Sequence, residues 1–370
     1  MSEDLTLRER IDELESEVTY LRYALGFVAV VALFLLALGI EAAFSESLPG
    51  KLAGIVTDRN TLGAALRLSV PIALAALGGI FAEKSGVINI GLEGLLIISA
   101  FTAVYATDVI AGENAATQLE LWAGLGVGVL ASTLLAGLFA VVCIEFRADQ
   151  IIAGLAVWLI ALGLAPFASQ VVYGGPNTSS VTTPETITIP VLSDIPFLGA
   201  LFDASPFVYM MFIAVAASWY VLNRTSFGRH VRASGENPKA LDTAGVNVSR
   251  VRYAAVLLSG VLAGLGGGAL ALSIGQFTGN GPTMVNGKGF IAIVTYLFGN
   301  YNPIGAFLST LLFAGLDAMQ VTLQTTGGTG LPGSLVRIVP FVTVIIVLAF
   351  VGKTRIPEAA GDHYESGEDR

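Results

Sequence analysis

The sequence predicts an all-α polytopic membrane protein, with about ten transmembrane helices and both termini on the cytoplasmic side. Three observations predict it. Hydrophobic residues make up 54% of the 370 residues and charged ones only 13%, with a mean hydropathy of +0.75. A water-soluble domain has too little interior to hide that much apolar surface. Apolar runs close to the ~20 residues that cross a bilayer recur along the chain. The basic residues gather in alternate connections between these runs.

Residues 1–22 hold seven acids and three bases. Leu7, Ile11, Leu14, Val18, Leu21 and Leu25 follow steps of four and three, a heptad stripe. A short coiled coil and a helix lying on the membrane or on its own protein both fit. An acidic, polar start before a run long enough to span argues against a cleavable signal peptide. Spans are expected near 23–44, 61–82, 86–107, 119–144, 150–172, 205–222, 251–274, 287–300, 303–324 and 333–352, within a transmembrane body of 23–352. The eighth is short enough to be re-entrant. An acidic cytoplasmic tail, 353–370, closes the sequence. Of the net charge of −9, −4 lies in 1–22 and −2 in 353–370, so the body is nearly neutral. Such tails suit a high-salt cytoplasm, and equally suit ordinary disorder.

With the N-terminus inside, the cytoplasmic segments carry 14 of the 19 Lys and Arg residues. Lys51, Arg59, Arg67, Lys288 and Arg337 fall on or near the outside. The opposite orientation inverts this bias.

Two connections are long. The external one, 173–204, is rich in Thr, Ser and Pro and suits a small cap. Its Asn177-Thr178-Ser179 triplet matches a glycosylation sequon, but so do Asn223-Arg224-Thr225 and Asn247-Val248-Ser249 on the other side, which makes the triplet weak evidence. The cytoplasmic connection, 223–250, counted through Arg252, has six bases against Glu236 and Asp242. Within it Asn237 is placed to cap a short helix that Pro238 opens. Lys239, Ala240, Leu241 and Asp242 follow, and Gly245 ends the helix. A short capped helix on a basic loop suits docking better than catalysis.

The seventh span carries Gly260, Gly264 and Gly268 at four-residue spacing, a smooth stripe for close helix packing. Signals for chemistry are absent. Gly352-Lys353-Thr354 has Val347 where a phosphate loop needs glycine, and Gly287-Lys288 has Pro282 there and Gly289 in place of the hydroxyl residue. The single cysteine, Cys143, and the two histidines, His230 and His363, form no metal-ligand spacing. No GxSxG or HExxH pattern occurs. The reading is therefore a non-enzyme without a metal.

What remains is polar groups at membrane depth, where an acid costs about 2.5–3.5 kcal/mol on insertion scales. Glu93 and Asp317 qualify. Asn89, four residues before Glu93, is expected on the same helix face, and Gln320 shares the face of Asp317. Glu93 fits three roles: a brace between helices, the lining of a polar pathway, or a proton carrier. Gly86, Gly91 and Gly94 around it permit irregular backbone.

Four segments carry a family resemblance: FAEKSGVINIGLEGLLIISAFTA, EFRADQIIAGLAVWLIALGL, GRHVRASGENPKALDTAGVNVSRVRY and GKGFIAIVTYLFGNYNPIGAFLSTLLFAGL. Together they resemble permease subunits of ABC importers, in the branch that imports nucleosides and simple sugars, and most nearly the nucleoside permeases. The likeness covers about 60–352. It implies a multi-pass subunit of the cell membrane that imports a nucleoside, with a monosaccharide as the alternative. It implies a partner ATP-binding subunit that holds ATP and Mg, with no cofactor in this chain. It also implies a second permease subunit and an extracytoplasmic substrate-binding protein, and no nucleic acid. The short helix from Asn237 to Gly245 then docks the ATPase. Here it keeps Ala240 and Gly245 of the wider pattern, but has Lys239 where that pattern has Glu, and Leu241. A nucleoside would suit stacking on Trp158, Phe277 or Phe101. The rival from another class is an ion-coupled carrier using Glu93 or Asp317.

Overall fold

The computed structural model describes residues 35–43, 48–326 and 356–365. The heptad segment, the expected tenth span and most of the first lie outside the described residues. The helices are α1 (Leu48–Thr57), α2 (Arg59–Lys84), α3 (Leu92–Ala111), α4 (Gln118–Ala140), α5 (Gln150–Tyr173), α6 (Pro206–Arg224), α7 (Ser226–Glu236), α8 (Pro238–Thr243), α9 (Val248–Ile274), α10 (Lys288–Phe298) and α11 (Pro303–Thr326). Seven of them (α2 to α6, α9 and α11) are long and apolar enough to cross a membrane.

Side-chain caps start most of these helices by accepting the first free N–H groups. Asp58 accepts from Thr61 N–H at 3.0 Å and Asp149 from Ile152 N–H at 2.9 Å. Thr117 and Glu120 form a reciprocal capping box. Asn247 accepts from Arg250 N–H at 2.8 Å. The observed spans lie close to the expected ones, with one correction. The third begins at Leu92, not at 86. Gly86 takes φ +96°, and Val87 N–H bonds back to Ala82 O at 3.1 Å, so α2 ends in a glycine turn. Asn89 therefore precedes α3 and does not share a helical face with Glu93. Two helices, α1 and α7, have no counterpart in the sequence reading.

The centre of the bundle is α2, α3 and α9. Within their most apolar windows, 83% of α2 is buried against 22% of α5. Leu155, Leu159, Ile160, Leu164 and Phe167 of α5 face outward, a surface suited to lipid. α9 packs on α2, α3 and α4, and its glycine stripe is the reason it can. A Cβ on Gly260 would lie 2.6 Å from Ala136 Cβ, and one on Gly264 2.9 Å from Val129 Cα. Gly268 meets Leu125 in the same way. Ser132 Oγ donates to Gly260 O at 2.9 Å and Ser99 Oγ to Gly264 O at 2.5 Å across this seam.

One end of the bundle carries a small cap, as 173–204 suggested. Strand β1 (Ile187–Thr188) pairs antiparallel with β2 (Asp203–Ala204), beside a 3₁₀ turn over Leu198–Leu201. The other end carries α7, α8 and the 356–365 segment. Thr225 caps α7, and Pro238 stops it by forcing extended backbone on Asn237.

Candidate functional site

The short helix α10 is the site's organising element. Its 11 residues reach about 16 Å, half of a ~30 Å hydrocarbon core. The chain enters it as irregular backbone, not as a full span. After Gly275 ends α9, residues 275–279 are sewn to the stretch following α5: Val181 N–H donates to Gly275 O at 2.7 Å, Thr178 N–H to Phe277 O at 3.1 Å, and Gly279 N–H to Pro176 O at 3.0 Å. Turns over 280–287 then lead to the N-terminus of α10. Irregular backbone of this kind survives in a membrane only within protein or beside a cavity.

Two buried acids hold α10 at its two ends. Glu93, in the first turn of α3 and 2% exposed, accepts from Gly287 N–H at 2.7 Å and Gly289 N–H at 2.6 Å. Those N–H groups have no partner within α10, so Glu93 caps a helix from another helix. The approach needs glycine: a Cβ on Gly289 would stand 2.4 Å from Glu93 N. Glu83, in the last turn of α2, accepts from the hydroxyls of Tyr296 and Tyr301. Tyr301 sits beyond the end of α10 at φ +55°, a conformation bulky residues rarely take. The Glu83 bond and the Lys84 ammonium, 5.9 Å from the Tyr301 ring centre, hold it there. Sequence reasoning missed Glu83. Placed next to Lys84 at the end of an apolar run, it reads as a loop charge.

The linker between α2 and α3 is equally well bonded. Asn89 Oδ1 accepts from Gly91 N–H at 3.0 Å, and its Nδ2 donates to Ser259 Oγ at 3.0 Å. Gln150 Oε1 accepts from Ile88 N–H at 2.7 Å. Gly94 lets α3 approach α5 at Val157 and Trp158. Asn89 thus ties the linker to α9, while Glu93 ties α3 to α10.

The other expected residues scatter around this frame. Lys288, in the first turn of α10, has Asp317 and Glu93 as its nearby opposite charges, and its Nζ donates to Val285 O at 3.2 Å. Asp317 is half-buried on α11, with half-buried Gln320 one turn further on. Trp158 packs edge-on against Phe290 of α10, 5.3 Å between centres. Phe277 is fully buried and meets Phe101 edge-on at 5.5 Å. It is packed as core, with no face open for stacking.

At the opposite pole of function, α8 forms where its cap predicts. Asn237 Oδ1 accepts from Ala240 N–H at 3.0 Å, and Gly245 turns at φ +81°. Lys239, Ala240 and Gly245 are exposed, whereas Leu241 is buried and anchors the helix on the bundle. Asp242 accepts from Tyr364 OH at 3.0 Å. The 356–365 segment straps this end further: Ala359 N–H donates to Gly235 O at 2.8 Å, Gly361 N–H to Gly86 O at 3.1 Å, and Arg252 Nη1 to Asp362 O at 2.7 Å. One short chain thereby touches α7, α8, the start of α9 and the turn that opens the Asn89 linker. Among the described residues no group of acids, cysteines and histidines could hold a metal ion.

Comparison with known proteins adds a family. The model of a family described as branched-chain amino acid transport system / permease component matches residues 61–348. The guanosine ABC transporter permease protein NupQ of Bacillus subtilis is 38% identical over 314 residues, which cover 82% of this chain and 96% of that protein. The nucleoside ABC transporter permease protein NupC of Lactococcus lactis is 38% identical over 304 residues, 80% of this chain and 93% of that protein. A putative glucose ABC transporter permease protein of Haloferax volcanii, TsgC13, is 32% identical over 269 residues, 71% and 78% of the two chains. No solved structure matches the chain.

Proposed function

The chain belongs to the permease-component family of the branched-chain amino acid transport systems, and on that premise we propose that it is the membrane subunit of an ATP-driven importer of nucleosides. It is a multi-pass transport subunit of the cell membrane, not an enzyme. The observation that carries the nucleoside reading is the 38% identity to two nucleoside or guanosine permeases across nearly their whole length. The similarity to a putative glucose permease supports a monosaccharide as the second reading.

In this reading both termini are cytoplasmic and about ten helices span. The body is 23–352, between a cytoplasmic heptad helix at 1–22 and the cytoplasmic tail at 353–370. ATP and Mg bind a separate ATPase subunit, and this chain carries no cofactor. A second permease subunit and an extracytoplasmic binding protein complete the importer. The ATPase meets the exposed positions of α8, namely Asn237, Lys239, Ala240 and Gly245. Pro238, Leu241 and Asp242 shape the helix and fix it to the bundle. A push on α8 passes through the 356–365 strap to Gly86 and the Asn89 linker. The pathway runs beside α10, with Lys288, Asp317, Gln320 and Trp158 about its first turn. Glu93 acts as the brace that sets α10, and α10 is the element that moves.

The test is uptake of labelled nucleosides and monosaccharides into vesicles. The chain is assayed alone and together with its ATPase, permease partner and binding protein. The reading predicts ATP-dependent nucleoside uptake by the full set only. Uptake by this chain alone, driven by an ion gradient, would overturn it.

A further inference from the structure

A cavity of about 380 Å³ lies where α7, the end of α2 and the 356–365 strap meet. Its size falls in the range of small-ligand sites. One face of α7 lines it with Arg229, Arg232, Ala233 and Glu236, spaced three and four apart so that they share that face. Lys84 and Pro357 form the facing wall. Three cations thus converge with one acid. The Arg232 charge repels the Lys84 ammonium and the Glu236 charge attracts it, so cations outnumber acids around the cavity. None of the three cations has a carboxylate within ion-pair distance among the described residues. Arg232 also carries a buried Nε with no hydrogen-bond partner among the described residues. A buried donor left without an acceptor is unfavourable, because its lost hydration is not replaced.

We propose that this cavity binds a phosphate group. Two guanidinium forks and an ammonium suit a tetrahedral oxyanion with several acceptor oxygens. The net +2 of Lys84, Arg229 and Arg232 against Glu236 matches the charge of about −1.5 to −2 that a phosphate monoester carries near pH 7 better than the single charge of a carboxylate. The orphaned Arg232 Nε gains its acceptor from the same oxyanion. The group is supplied by a soluble phosphate or by a phospholipid headgroup at the membrane surface. Bound there, it bridges α7 to the end of α2 and sits against the strap at Pro357. Occupancy therefore stiffens the connection between α8 and the Asn89 linker.

The full-length chain is reconstituted in phosphatidylcholine bilayers, and its thermal unfolding midpoint is followed. Inorganic phosphate is titrated against chloride at matched ionic strength. In a second arm phosphatidylglycerol replaces part of the lipid. The site predicts a midpoint that rises with phosphate, if the ligand is soluble, or only with the anionic lipid, if it is a headgroup. In either arm R232Q weakens the half-saturation concentration about tenfold or more, while R250Q, which removes an exposed cation elsewhere on the same end, leaves it unchanged. Arg229 is exposed, so R229Q keeps the test open if R232Q fails to fold. No rise in either arm, or an equal response from R229Q, R232Q and R250Q, overturns the site.

Discussion

The seam between α4 and α9 and the setting of α10 are both buried and closely packed, yet opposite chemistry holds them. Along the seam, glycines bring two backbones together, and the Ser132 hydroxyl bonds a carbonyl across it. Nothing there is charged, and its attraction is dispersion spread over many atoms. α10 is held by a few directed bonds instead, to Glu93 at one end and Glu83 at the other. A dispersed interface has one good arrangement and resists sliding. A handful of strong, localised bonds can break and re-form together, so α10 suits motion and the seam suits a fixed frame. The strap reaches Gly86 and the Asn89 linker, which leads into α3 and its Glu93 bonds to α10 and is also tied to α9 through Ser259.

Breaking the seam has the largest expected effect. G264L places a branched side chain where Val129 and Ser132 backbone and side chain already stand, a cost of about 3 kcal/mol or more with nowhere to relax. The variant is expected to lose its folded fraction in size-exclusion chromatography, and G264A to lose part of it. Next comes the clamp. E93Q keeps one acceptor oxygen but turns an amide donor toward the N-terminus of α10, leaving a buried N–H unpaired at about 1–3 kcal/mol. The chain is expected to stay folded, with transport falling at least tenfold. Y296F removes one of two bonds to Glu83 and is expected to cost slightly less, since Tyr301 still holds the acid. The smallest effect belongs to the docking end. N237A removes an exposed cap worth about 1 kcal/mol. It is expected to leave the unfolding midpoint nearly unchanged while weakening the coupling of ATP hydrolysis to uptake. A bulky residue at Ala240 or Gly245 sharpens that contrast by uncoupling the two without unfolding the chain. Unchanged transport in the Ala240 and Gly245 variants removes α8 from the docking role.

How much of this was legible in the sequence follows the same division. Hydropathy runs located every described span, because burial in lipid leaves a continuous local signal. The glycine stripe of α9 and the Asn237-Pro238 cap were legible because each is a short-range pattern with one physical reading. The site was legible only in part. Glu93 stands out as an acid inside an apolar run, but its partners at Gly287 and Gly289 come from almost 200 residues away. Glu83 gave no signal, since its tyrosines are as distant and Lys84 disguises it as a loop residue. Asn89 was placed on the wrong geometry because the glycines flanking it end one helix before the next begins, and periodicity does not register that gap. α7 escaped because a basic, polar loop helix lacks a long apolar stripe.

The contrast between frame and moving element is tested most directly by distances. In the assembled transporter, one pair of spin labels joins the exposed faces of α4 and α9, and another joins α10 to α3. Double electron–electron resonance is recorded with and without a non-hydrolysable ATP analogue. The account predicts an unchanged α4–α9 distribution and a shifted or newly bimodal α10–α3 distribution. A fixed α10 beside a displaced seam would contradict it.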